Sequence, residues 1–222
     1  NFSGLGGDIE KFIDLDARMS RSQTYIDSSN VIEDRLNTTD TILSQVIDLG
    51  TDIKNLIALR RNSAVGDDVA FQTQLDGKWK ALVGLVNTQS EGRYIFSGTR
   101  TDSPAVNDKS FPSLLVDGVP DLGYYTGSSD SMITRISESI TITYNVRGDD
   151  PAFQKIFAGL AMAQKFGTLK GESLEMQQAY DFLEEGVDGI ISLRATVNAN
   201  KVTVLDNMDR LESLKLYWRG LK

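Results

Sequence analysis

Six apolar side chains spaced seven residues apart restrict the fold of this chain more than any other feature. They are Leu183, Ile190, Val197, Val204, Leu211 and Trp218. A strict seven-residue step marks a helix whose one seam stays against a neighbouring helix along its whole length. The interleaved positions, Val187, Arg194, Lys201, Met208 and Lys215, are only partly apolar. Their three basic side chains can still cover apolar surface with their stems. A helix from about Leu174 to Trp218 would run ~70 Å, far longer than a compact domain of this size needs. Such a helix requires a long partner.

The N-terminal part of the chain contains one. Tyr25, Ser29, Ile32, Leu36, Thr39, Leu43, Val46, Gly50, Ile53 and Ile57 alternate steps of four and three, which is a second long seam with small residues at three places. No proline occurs before Pro104, so nothing forces a break, and the spacing predicts one helix from about Asp8 to Asn62. Asp8 is the expected cap. Helices of this kind are poorly stable alone, so their stability must come from packing on each other. The Gly-rich lead before Asp8 lacks the strand–loop–helix context and Lys-Ser/Thr pair of a phosphate loop, and reads as a flexible lead or a truncation point.

Gly66-Asp67-Asp68 predicts a turn and a cap, followed by a helix through Val69, Leu75, Trp79, Leu82 and Val86 to about Ser90, folding back on the first. Helical period then stops. Tyr94-Ile95-Phe96 reads as a short strand, Leu114–Val116 as a strand ending in the turn Asp117-Gly118, and Leu122–Thr126 as another. Near-alternation follows from Ser139 to Val146, with Arg135 and Glu138 outward. This β-rich insertion is too small to be robust alone and must lean on the helices or on neighbours. Asp150-Pro151 starts an amphipathic helix through Phe153, Ile156, Phe157 and Leu160, ending near Gly167. The fold class is mainly α with a β-rich insertion: a long antiparallel helical rod formed by both chain ends, plus a small β domain.

The composition closes most catalytic routes. The chain has no histidine and no cysteine, which removes imidazole acid/base chemistry, Ser-His-Asp triads, thiolate nucleophiles and disulfides. Adjacent carboxylates such as Asp149 and Asp150 are explained by helix capping, so no catalytic, metal-binding or cofactor-binding residue is expected and the chain reads as a non-enzyme. The net charge of -8 argues against a nucleic-acid-binding surface. No run approaches the ~20 apolar residues of a membrane-spanning helix, and no membrane partner is expected. The opening shows no basic-then-apolar export signal. The sequon Asn37-Thr38-Thr39 falls inside a predicted helix and is discounted.

Gly92-Arg-Tyr-Ile-Phe-Ser-Gly-Thr-Arg-Thr-Asp-Ser-Pro104 closely resembles the segment that leaves the second helix for the β domain in the bacterial flagellar hook–filament junction proteins, the hook-associated protein 3 family of the flagellin-like superfamily. Phe2-Ser-Gly-Leu-Gly6, Tyr124-Tyr-Thr-Gly127, Gly148-Asp149 and Phe153-Gln-Lys-Ile-Phe157 are similar to further stretches of that family, so the resemblance covers most of the chain. It implies a rod domain (D1) from residues 1–100 and 148–222 and an outward β domain (D2) from residues 101–147. It also implies a structural role: a ring of subunits joining the other hook-associated junction protein to flagellin. Export through the flagellar type III apparatus, an export chaperone and an extracellular flagellar location belong to the same implication. Family members carry further terminal helical segments, so the resemblance implies that this is a trimmed chain, monomeric in solution. Flagellin itself is the alternative, and a coiled-coil scaffold or phage-tail adaptor stands further off. Arg93, Tyr94, Phe96 and Arg100 are candidate assembly residues or anchors of the turn. Arg194, Lys201 and Lys215, bordering the seam, are candidates for meeting a neighbouring subunit.

Overall fold

The computed structural model describes residues 2–62, 68–107, 122–168 and 173–221. Its two long elements are α1 (Phe2–Asn62) and α4 (Leu174–Gly220). They run antiparallel: Lys54 pairs with Glu184, Asp40 with Arg194, and Gln23 with Lys215, so one sequence climbs as the other descends. Sixty-one residues of α1 span ~90 Å. Every predicted seam position of α1 from Ser29 to Ile57 is buried, and Tyr25 is half-buried. Gly50 marks a close approach, since a Cβ there would stand 2.6 Å from Val187 Cγ2. Threonines are tolerated inside α1 because their hydroxyls donate to the carbonyl one turn back, as in Thr39 to Arg35 at 2.8 Å and Thr51 to Ile47 at 2.9 Å.

α2 (Asp68–Val86) returns along α1, tied by Lys78–Asp52 at 2.7 Å and by Arg60–Asp68. α3 (Pro151–Phe166) fills the space between α2 and α4 and is buried over most of its surface. Asp150 caps it, accepting from Ala152 N–H at 2.9 Å, and Gly167 closes it. Glycines bring α3 and α4 together. A Cβ on Gly159 would meet Leu183 Cγ at 2.7 Å, and one on Gly186 would meet Ile156 Cγ1 at 2.6 Å. On α3, Trp79 of α2 packs edge-on against Phe157, with ring centroids 5.6 Å apart.

Among the described residues the β structure is two small antiparallel hairpins and one isolated bridge. β1 (Gln89–Ser90) pairs with β2 (Arg93–Tyr94), and β3 (Ile133–Arg135) with β4 (Thr141–Thr143). Glu91 and Gly92 both have positive φ, 51° and 73°, the requirement of the two-residue turn whose twist matches the strands.

Four sequence expectations are revised. α1 begins at Phe2, so the Gly-rich lead is helical and Asp8 lies inside the helix; with no proline present, nothing stops the helix from extending through it. α2 ends at Val86 rather than near Ser90, because Gln89–Ser90 pairs with Arg93–Tyr94. The predicted strand Tyr94–Phe96 is accordingly β2, ending at Tyr94, after which the chain turns inward to bury Phe96. Leu122–Thr126 forms a 3-10 turn, Leu122–Tyr124, with a single bridge between Tyr125 and Val106, since the side chain of Tyr124 plugs into the helices. The expected strand Leu114–Val116 and turn Asp117-Gly118, and Gly66 and Asp67, lie outside the described residues. The long rod, the back-folded α2, the outward Arg135 and Glu138, and the Asp150-Pro151 helix start stand as read.

Candidate functional site

Positions along the seam of α4 sort by burial. Leu183, Ile190, Val197, Val204 and Leu211 are buried, while Trp218 at the end is only partly covered. Arg194, beside this seam, is held within the rod: its Nε donates to Asp40 Oδ1 at 2.7 Å, and Asn198 Nδ2 donates to the same oxygen at 3.0 Å. The hydrogen bond from Arg194 holds the Asp40 carboxyl below the usual carboxylate range, against an opposing effect of burial, and the charge of Lys201 adds to the lowering. Lys215 reaches Gln23 across the rod and Glu212 at 3.2 Å along its own helix.

The segment from Arg93 to Arg100 ties the strands to the helices. Arg93 is exposed on β2. Tyr94 is half-buried, its N–H donating to Thr101 O at 2.9 Å. Phe96 is fully buried, edge-on to Phe153 of α3 with centroids 5.5 Å apart. Its carbonyl accepts from Gly148 N–H at 2.8 Å and from the Tyr125 hydroxyl at 3.3 Å. Gly98 has φ 63° and lies directly against the Ser128 backbone, so no side chain fits there. Arg100 is exposed, and its Nη1 donates to Thr126 O at 3.4 Å.

Three further residues complete this junction; Asn87 and Asn207 showed no sequence signal, and Tyr124 showed one only as part of the family-like stretch Tyr124–Gly127. Asn87 both donates to Val106 O and accepts from Val106 N–H, each at 2.9 Å, joining α2 to the following loop. Tyr124 stacks on Phe157 at 4.2 Å and donates to Gly148 O at 2.8 Å; burial pushes its phenol well above the ordinary range, as it does for Tyr125. Both therefore act as neutral hydrogen-bond donors. Asn207, buried on α4, donates to Ile136 O at 2.7 Å.

The β3–β4 hairpin lies on the rod. Ile136 and Ile142 are buried in the same core as the α1–α4 seam. Asn200 donates to Thr143 O at 2.9 Å, and Arg35 of α1 donates to the Tyr144 hydroxyl at 3.3 Å with its guanidinium over that ring.

The paired carboxylates of the α3 start are engaged in structural contacts. Asp149 is taken up by Arg147 at 2.9 Å and Ser129 at 2.6 Å, and Asp150 by its helix cap. Among the described residues no group of acidic side chains has metal-site geometry, and no helix is long and apolar enough to cross a membrane. What the geometry offers is a stiff rod with a small hairpin and an aromatic junction fixed to it.

No protein-family model matches the sequence, and no curated protein matches it significantly. Solved structures do. A flagellar hook-associated protein from Vibrio parahaemolyticus superposes with a TM-score of 0.75 over 97% of this chain and 95% of its own, at 18% identity. FlgL from Bacillus cereus aligns over 89% of this chain and 98% of its own, with a TM-score of 0.65 and 19% identity. Hook-associated protein 3 from Legionella pneumophila gives a TM-score of 0.61 over 95% of both chains, at 11% identity. At these identities the likeness is one of architecture, and it runs nearly end to end in each comparison. The chain has the fold of the solved flagellar hook-associated proteins.

Proposed function

We propose that this chain is a structural subunit of the bacterial flagellum, acting at the junction where the hook meets the filament. The observation that carries the reading is the near-complete overlap with solved hook-associated proteins, 97% of this chain and 95% of the Vibrio protein. The resemblance of Gly92–Pro104 to the same family, read from sequence alone, supports it. The subunit would assemble with copies of itself into a ring, with the other hook-associated protein on one side and flagellin on the other. Its place is extracellular, reached by export through the flagellar type III apparatus. A fold held by seams, without disulfides, suits passage of an unfolded chain. No catalytic role is proposed.

Deletion of the full-length gene tests the role. Cells should keep intact hooks while filament subunits escape into the medium, and the gene supplied in trans should restore the filament. Disappearance of the filament protein itself would assign the chain to flagellin instead.

A further inference from the structure

At the end of the rod where α4 finishes, the turn of the β3–β4 hairpin overhangs a cleft of about 500 Å³. That volume lies within the range of built ligand sites, ~300–1,000 Å³. Three arginines line it, Arg18 and Arg21 from α1 and Arg210 from α4, in a chain whose net charge is -8. Arg18 is engaged by Asp14 on its own helix, and Arg21 by the one carboxylate lining the cleft, Glu138, at 3.5 Å with both side chains well exposed. Arg210 is positioned rather than neutralised: its Nη2 donates to Asn207 Oδ1 at 3.1 Å, and Asn207 is fixed in turn by Ile136 O. Beside that carbonyl stands Ser137, 2% exposed, whose Oγ has no hydrogen-bond partner among the described residues.

We propose that this cleft receives a carboxylate side chain from an acidic peptide segment of an adjoining subunit, an inference that rests on the assembly role above. Arginine forks suit carboxylates. Tyr25, Leu214 and Trp218 line the cleft as well. Those walls fit the apolar stem of a peptide side chain, and a free phosphate would leave them uncovered.

Trp218 makes the cleft self-reporting, since the chain's other tryptophan, Trp79, is buried in the core. The full chain is titrated with a capped hexaglutamate peptide, and separately with inorganic phosphate, while tryptophan emission is followed. The peptide should give a saturable, salt-sensitive change that weakens about tenfold in Arg210→Gln and in Arg21→Gln, as loss of a charge-assisted contact implies. Helicity of both variants should stay that of the parent. Absence of a saturable change, undiminished binding by the two folded variants, or an equal response to phosphate would each overturn the proposal. If the titration fails while gene deletion still leaves bare hooks, the cleft is wrong and the junction role stands. If the peptide binds but deletion leaves the filament intact, the cleft stands and the junction role falls.

Discussion

Two polar side chains in the rod have unlike effects on stability. Ser29 sits at a seam position, fully buried, with a hydroxyl that has no hydrogen-bond partner among the described residues. Ser29→Ala should therefore raise the melting temperature, removing a desolvation cost of about 1–3 kcal/mol without opening much space; thermal denaturation checks it, and a lower midpoint would show that the hydroxyl is used. Asp40 is the opposite case. The hydrogen bond from Arg194 depresses its pKa in the folded state, so its contribution is in place above the unfolded value of ~3.9 and is lost as pH falls through the lower folded value. Asp40→Asn should be less stable than the parent in urea at neutral pH, and the gap should close as the pH falls through the depressed folded pKa of Asp40. Neither role is visible in the sequence. Ser29 and Asp40 are two polar residues in a helix rich in them, and only the position of α4 decides which is a liability and which a clamp.

At the scale of elements, the legible features were those written in period. The seams of α1 and α4 and the start of α3 at Asp150-Pro151 follow from spacing and capping chemistry, which depend on neighbours in sequence. The junctions do not. Gly159 and Gly186 read as weak points in helices, yet they allow α3 and α4 to approach within the width of a side chain. Gly186→Val should cost about 1–3 kcal/mol or more, because the added methyl groups meet Ile156 and the α3 backbone; a urea midpoint equal to that of the parent would refute the tight crossing. Asn87, Asn200 and Asn207 were equally silent. Each satisfies a backbone carbonyl of the loops or hairpin, and which carbonyl an asparagine meets is a tertiary fact. The missed 3-10 turn at Leu122–Tyr124 has the same origin: β-like composition was overridden by a tyrosine that found a better place against Phe157.

For the whole molecule, the central claim is that the chain supplies the partner for its own C-terminal helix, so that the rod is closed within one polypeptide. The likeness to solved hook-associated proteins depends on that architecture. The hairpin is fixed onto the rod by Asn200, Asn207, Ile136 and Ile142, so rod and hairpin should move as one body in any assembly. The absence of cysteine in the chain permits a direct test. In Gly50→Cys/Val187→Cys the two thiols face each other at a close approach of α1 and α4. Mild oxidation should give a fast-migrating monomer on a non-reducing gel, with helicity kept, while Gly50→Cys/Arg194→Cys, two turns out of register, should stay uncross-linked. Cross-linked dimers in place of the monomer, or equal reaction of the out-of-register pair, would contradict the rod.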